Sequence, residues 1–136
     1  MLARNYRFHG HNSLRLVYAK GSTARSRLLS MRFVHNPHRT DSRVAVVVAK
    51  KVIKAAPKRN RIRRRVYEMI REYWPTLRPG YDLAITVHSP EVLVLSSAMV
   101  RQEVESLLLA ARLLGDNNTA QPDENRATHD RLRSDL

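Results

Sequence analysis

A run of basic side chains from Lys58 to Arg65 is the feature of this sequence most suited to binding an anionic ligand. It places six cations in eight residues. Pro57 suits the first turn of a helix at this point. Apolar residues then recur on one helical face, at Ile62, Val66, Met69, Ile70 and Tyr73. The macrodipole of such a helix is already positive at its start, so each cation there costs about 0.3–1 kcal/mol.

Like charges in this run also repel one another. Arg59 and Arg63 lie one turn apart, and such a pair costs about 0.2–0.5 kcal/mol. We expect Glu68 to relieve part of this by reaching Arg64 and Arg65 one turn earlier. A solvated, charged helix face is the alternative, but such a face normally mixes signs. Phosphates would satisfy both the guanidinium groups and the exposed backbone N–H groups, so the run predicts a phosphate-binding helix terminus.

The charge of the whole chain favours a polyanionic partner. The formal net charge is +13. Residues 1–67 contain 18 basic side chains and one acid, whereas the remainder contains 7 basic and 11 acidic side chains. A surface of this kind attracts nucleic acid. The binding surface is therefore expected in the first half of the chain.

The sequence contains no recognisable protein active site. Asp41 is the only acid before the basic run, and we expect Glu68 and Glu72 to be engaged with arginines, so no carboxylate cluster could hold catalytic metal ions. Two histidine pairs have metal-compatible spacing but lack a third ligand, namely His9 with His11 and His35 with His38. No catalytic residue and no metal ligand is predicted.

Compartment and membrane signals are absent from the sequence. There is no cysteine, which excludes a disulfide framework and thiolate zinc sites. No apolar run approaches the roughly 20 residues that span a bilayer, and no apolar segment follows the basic residues at the start. We expect a cytoplasmic protein that has no membrane partner.

Periodicity places the remaining elements. A short helix is predicted around Leu14, Val17 and Tyr18, with Gly21 at the position of a C′ glycine. Strands are predicted for 28–34, 44–49 and 81–87, the first two as neighbours joined by a turn. A last helix is predicted to begin near Ser96 and to end at Gly115. Helices packed on one face of a small sheet are the natural arrangement.

The central part of the sequence has a specific order of features. A β-branched strand ends in Lys50-Lys51, Arg59-Asn60-Arg61 begins the helix, and Ile70-Arg71-Glu72 follows within it. This order resembles the signature of the bacterial ribonuclease P protein family. The similarity extends from about Tyr6 to Leu114, although the flanking parts are less specific.

The resemblance implies an α+β fold. The expected architecture is a two-layer α/β sandwich with a small mixed sheet of about four strands and three helices, like domain 2 of ribosomal protein S5. Its βαβ crossover would be left-handed, against the usual rule. We assign residues 1–115 to this domain, and we expect 116–136 to be a disordered polar tail because the segment is polar and lacks periodicity.

The resemblance also implies a function. The chain would be the protein subunit of ribonuclease P, an endoribonuclease that removes the 5′ leader from precursor tRNA. Its partners would be the catalytic RNA subunit, one protein per RNA, and the precursor tRNA. The chemistry would reside in the RNA, and Mg²⁺ would be bound chiefly there. The protein would supply charge neutralisation and contacts to the leader.

Two groups of site residues follow from the resemblance. The RNA-binding group matches the basic motif: Lys50, Lys51, Lys58, Arg59, Asn60, Arg61, Arg63, Arg64 and Arg65. The second group would line a cleft for the single-stranded leader, formed by the sheet and the first helix: Tyr18, Arg32 and Phe33. Tyr18 could stack on a base. Ordinary core packing is the alternative for Tyr18 and Phe33, and a solvated strand end is the alternative for Lys50 and Lys51.

The sequence departs from the family pattern in three places. Leu14 and Arg32 stand where aromatic residues are common, so Arg32 would offer a planar guanidinium in place of a ring. The connection at 53–58 lacks the usual glycine and is about one residue longer than expected.

Two other functions remain open from the sequence. One is a structural ribosomal-type or general RNA-binding protein without a nuclease role, because such proteins are also small, basic and free of cysteine. The other is a DNA-binding module that places the basic helix in a major groove. A helix-turn-helix requires a second short helix directly before the recognition helix, and the sequence predicts none directly before the basic one.

Overall fold

A computed structural model describes residues 11–37 and 40–114 of the chain. Within these ranges it contains three α-helices and four strands. In chain order they are α1 (His11–Lys20), β1 (Ser22–Arg25), β2 (Leu29–His35), β3 (Arg43–Val48), α2 (Ala56–Tyr73), β4 (Tyr81–Val87) and α3 (Ser97–Ala110). Short 3₁₀ turns cover Trp74–Thr76 and Pro90–Leu93. The predicted α+β composition is confirmed.

The four strands form one mixed sheet in the order β1-β2-β4-β3. The β1–β2 and β2–β4 pairs are antiparallel, whereas β3 and β4 are parallel. The expectation that β2 and β3 are neighbours was wrong, because β4 lies between them. Leu83, Ala84 and Ile85 in β4 are fully buried, as befits a central strand covered on both faces.

One face of the sheet carries the main core. Alternate strand residues such as Met31, Val46 and Ile85 point to this face and pack with the apolar stripes of α2 and α3. The Tyr67 hydroxyl accepts a hydrogen bond from the backbone N–H of Val46 at 3.2 Å. A large apolar side chain that is fully buried, such as Ile62, contributes about 1.5–3 kcal/mol.

Helix α1 lies on the opposite face. Its residue Val17 is fully buried against Ala45, Ala84 and Val34. This arrangement corrects the expectation, drawn from periodicity, that all helices pack on one face. The small alanine side chains let α1 approach the sheet closely, and α1 covers only part of this face.

Gly21 permits that close approach. A Cβ atom at this position would lie 2.5 Å from the carbonyl oxygen of Val17 and 2.9 Å from that of Phe33. The helix ends at Lys20 as predicted, but glycine is needed because backbone atoms of Val17 in α1 and Phe33 in β2 lie close, and not because of a left-handed backbone. Positive φ among the described glycines occurs at Gly80, with φ 81°.

The ends of α2 and α3 agree with the sequence to different degrees. Helix α2 ends at Tyr73, two residues before Pro75, as predicted. The hydroxyl of Ser96 accepts a hydrogen bond from Met99 N–H at 3.2 Å, so the predicted cap of α3 is confirmed. Helix α3 ends at Ala110 and not at Gly115, because the chain turns at Arg112, which has φ 61°.

Helix α2 makes the crossover between the parallel strands β3 and β4. The left-handed sense of this crossover stays a prediction. The expected boundary at residue 115 and the tail 116–136 lie outside the described residues. Among the helices of the described ranges, none is long and apolar enough to cross a membrane.

Candidate nucleic-acid interface

The start of α2 presents positive charge that no carboxylate of the described residues pairs with. Its N-cap residue, Ala55, has no side chain that could accept a hydrogen bond from the first turn, and that turn contains no acid. The macrodipole and the exposed backbone N–H groups therefore add to the charge of Lys58 and the arginines that follow. This is the arrangement that an anion stabilises.

The cations of α2 lie off its buried stripe, which consists of Ile62, Val66, Tyr67, Met69 and Ile70. Lys58, Arg61 and Arg64 are exposed. Within the described part of the chain, no side chain of the run 58–65 forms an ion pair with a carboxylate. The predicted pairing of Glu68 with Arg64 and Arg65 was wrong.

The two acids of α2 face other partners. Glu68 pairs with Arg71 at 2.7 Å, and Glu72 pairs with Arg101 of α3 at 3.1 Å. Both glutamates lie C-terminal to the basic run, and the second pair joins α2 to α3. The acids consequently leave the charge at the helix start uncompensated.

Arg59 ties the preceding connection to α2. Its Nη1 donates to the carbonyl oxygens of Ile53 at 3.1 Å and Lys54 at 2.6 Å. The exposed Lys50 and Lys51 lie in the turn after β3, at the start of this connection. The bonds from Arg59 hold the lysine-bearing connection against the helix, so the lysines and arginines share one surface.

We call this surface the basic end. It comprises Lys50, Lys51, Lys54, Lys58, Arg59, Asn60, Arg61, Arg63 and Arg64. Within it, Asn60 Oδ1 accepts a hydrogen bond from Arg63 Nη2. This contact leaves the Asn60 amide NH₂ as a donor toward solvent.

Arg65 has a different role from the one predicted. Its Nη1 donates to the carbonyl oxygens of Val92 at 2.6 Å and Leu93 at 3.1 Å, and its Nη2 donates to that of Leu95. The guanidinium group thus holds the segment before α3 onto α2. This placement corrects the assignment of Arg65 to the RNA-binding group.

The uncovered part of the α1 side of the sheet forms a second surface, which we call the open face. It consists of Thr23, Arg25, Ser30, Arg32 and Thr86 together with Tyr18 of α1. The Tyr18 side chain is 40% exposed, and its hydroxyl lies 3.3 Å from Thr86 Oγ1. The ring is therefore accessible and held at its tip.

The structure does not bring Phe33 together with Tyr18. Phe33 pairs with Leu83 and packs against the main core, on the opposite side of the sheet. Successive residues of a strand point to opposite faces, so Arg32 and Phe33 cannot both line the open face. Phe33 was thus wrongly placed in the cleft, whereas Tyr18 and Arg32 do lie on one surface.

The open face meets the basic end at one edge of the sheet. Val48 of β3 pairs with Val87 of the parallel strand β4, so the residues that follow each strand lie at the same edge. His88 follows β4, and its Nε2 lies 2.7 Å from Ser30 Oγ. Ser30, Thr86 and His88 were not predicted from the sequence, although the two-residue alternation of β2 and β4 could have identified them.

Metal-binding side chains do not cluster in the described ranges. No group of three or more histidine, cysteine, aspartate or glutamate side chains there could hold a metal ion. The residues of the described surfaces therefore do not fit a metal held by the protein alone.

Comparison with known proteins identifies the family. A model of the family described as Ribonuclease P matches residues 2–112. The chain belongs to the ribonuclease P protein family. Its relatives include the ribonuclease P protein component of Chloroflexus aurantiacus, which is 34% identical over 123 residues, 89% of this chain and 90% of the relative. The ribonuclease P protein component of a Synechococcus species is 32% identical over 117 residues, 84% of this chain and 87% of the relative.

Solved structures of this family share the fold. The ribonuclease P protein of Staphylococcus aureus superposes with a TM-score of 0.72 at 20% identity, covering 81% of this chain and 98% of that one. The ribonuclease P protein of Thermotoga maritima gives a TM-score of 0.64 at 26% identity, covering 75% and 92%. The family membership implies an RNA subunit as partner in a ribonucleoprotein.

Proposed function

We propose that this chain is the protein component of a ribonuclease P and binds the catalytic RNA through its basic end. The observation that carries the proposal is the absence, within the described ranges, of any carboxylate partner for the cations that begin α2. An isolated helix is destabilised by that arrangement. RNA phosphates would relieve it through guanidinium contacts and backbone N–H groups.

The open face would contact the single-stranded 5′ leader of precursor tRNA. The exposed ring of Tyr18 suits stacking on an unpaired base, which contributes about 1–3 kcal/mol per base. Precursor tRNA would then bind more tightly than mature tRNA, which has no leader. The shared edge at Lys50 and His88 would let one RNA assembly contact both surfaces.

Cleavage of the leader would be carried out by the RNA subunit, with one protein per RNA in the cytoplasm. Mg²⁺ would be bound chiefly by RNA, because the described side chains do not fit a metal site of their own. The protein's part would be to neutralise phosphates that otherwise need counterions and to hold the leader.

Reconstitution with the catalytic RNA at low Mg²⁺ tests this function. We expect faster leader removal with the protein than with the RNA alone, since its cations replace missing counterions. The variant with Arg61→Ala and Arg64→Ala should lose much of this gain. A matched variant with Arg71→Ala and Arg101→Ala removes the same charge from residues already paired with glutamates and should keep it. No acceleration by the unaltered protein would reject the proposal.

The other functions predict different outcomes. A general RNA-binding protein would recover ribosomal RNA from cell extract without enriching the catalytic RNA. A DNA-binding helix-turn-helix does not fit the fold, because α1 lies on the opposite side of the sheet from α2.

A further inference from the structure

Arg32 lies on the open face beside Tyr18, but its guanidinium is turned toward the protein. Its Nη1 donates to Thr23 Oγ1 at 2.9 Å, and its Nη2 donates to the backbone carbonyl of Tyr18. Its Nε is buried and has no hydrogen-bond partner among the described residues. Both terminal nitrogens of the side chain are thus engaged with β1 or α1, and Nε is covered.

The contact with Tyr18 falls at the end of α1. The carbonyl of Tyr18 is among the last four of the helix, which lack partners within it. A cation placed there also interacts favourably with the negative end of the helix dipole. Arg32 therefore fixes the last turn of α1 on β2, next to Gly21, where no room remains for a Cβ atom.

Tyr18 is held a second time, through the hydroxyl of its ring. The Tyr18 hydroxyl lies 3.3 Å from Thr86 Oγ1 on β4, while Arg32 on β2 holds the Tyr18 backbone. Together the two contacts define where the ring stands above the sheet. Without the contact from Arg32, the Tyr18 backbone would lose its bond to β2, while the hydroxyl contact with Thr86 would remain.

We propose that Arg32 is a positioning residue, which sets the Tyr18 ring for stacking on a leader base and does not itself contact the leader. This inference rests on the proposed function of the open face. It differs from the expectation, drawn from the sequence, that the guanidinium replaces an aromatic ring as a stacking platform. A positioning residue acts through Tyr18, so its effect must vanish when the ring is absent.

A double-mutant cycle in the reconstituted holoenzyme tests this dependence. The variants are Tyr18→Ala, Arg32→Gln and the combination, and the quantity measured is the ratio of the Kd values for mature and precursor tRNA. We expect Tyr18→Ala to lower this ratio by roughly fivefold to 150-fold, the range for loss of one base–aromatic stack. Arg32→Gln should lower it in the same direction, and the combination should match Tyr18→Ala alone.

Two further variants separate positioning from charge and from folding. Arg101→Gln removes the same charge from an exposed residue of α3, which packs on the side of the sheet opposite the open face, and it should leave the ratio nearly unchanged. Thr23→Val removes one acceptor of Arg32 with little risk to folding. It should lower the ratio modestly, and only when Tyr18 is present. Binding of each variant to the catalytic RNA reports that the fold is retained.

Three results would overturn the inference. Losses that multiply in the combined variant would mean that Arg32 acts independently of Tyr18. An unchanged ratio in Arg32→Gln, alongside a fall in Tyr18→Ala, would mean that Arg32 does not position the ring. An unchanged ratio in Tyr18→Ala would mean that the leader does not bind at Tyr18 on the open face. It would reject that part of the proposed function as well.

Discussion

Removing two exposed arginines from the basic end should change how RNA binding depends on salt. Arg61 and Arg64 have no ion-pair partner among the described side chains, so in the complex they are free to contact phosphates. Each phosphate contact contributes about 0.7–0.9 to the slope of log K against log salt. The variant with Arg61→Ala and Arg64→Ala should therefore lose about 1.4–1.8 from the slope.

This slope converts into an affinity difference that filter binding can measure. Raising the salt fourfold, from about 50 to about 200 mM, should shrink the ratio of the variant and unaltered Kd values by about tenfold. The control with Arg71→Ala and Arg101→Ala lowers the net charge equally, but both residues are held by glutamates. Its slope should stay near that of the unaltered protein. Equal slopes in the two variants would show that net charge alone acts, and would refute direct contact.

Three further predictions concern the framework of the two surfaces, and denaturant unfolding measures each. Arg65→Ala should lower the free energy of unfolding by about 1.5–3 kcal/mol, because it removes charge-assisted hydrogen bonds to three carbonyl oxygens. The salt dependence of RNA binding should stay unchanged. Unchanged stability of this variant would contradict the structural role of Arg65. Asp82→Ala should lower the free energy of unfolding by about 3 kcal/mol, because it removes a buried carboxylate that accepts hydrogen bonds from Arg43 and Asn36. A loss below about 1 kcal/mol, typical of exposed pairs, would be inconsistent with burial. Gly21→Ala should lower the free energy of unfolding by about 1–3 kcal/mol through overpacking against the carbonyl oxygens of Val17 and Phe33, whereas unchanged stability would mean that α1 can shift freely.

Local patterns predicted the elements whose causes are local. The stripe from Ile62 to Ile70 defined α2, and Pro75 marked its end. Ser96 marked the start of α3 because its capping bond involves a residue only three positions away. Strand β1 is short and polar, so its sequence has no apolar periodicity and the strand was not predicted.

Contacts between distant parts of the chain were not predictable in the same way. The insertion of β4 between β2 and β3 depends on pairing across the chain, which no local pattern contains. Arg65 looked like any other cation of the basic run, because its carbonyl partners lie 27 to 30 residues away. The family resemblance supplied the mixed sheet, which periodicity could not.

The placement of Phe33 was an error that the sequence could have prevented. Arg32 and Phe33 are adjacent in a strand, so only one of them can face α1. Leu29, Met31 and Phe33 share the core side, which leaves Ser30 and Arg32 for the open face. The alternation, applied consistently, would have selected Arg32 alone.

Directed cleavage of the RNA tests most directly whether the start of α2 lies against the catalytic RNA. The chain has no cysteine, so Arg61→Cys gives a single attachment site for an iron–EDTA probe. The control is Leu109→Cys, at an exposed position near the end of α3. The chain after this end lies beside the segment that leads into β4, because the N–H of Arg78 donates to the carbonyl oxygen of Leu113. We predict strong, localised cuts in the catalytic RNA from the probe at position 61 and weak cuts from position 109. Equal or absent cutting from the two positions in a fully bound complex would contradict RNA binding by the basic end.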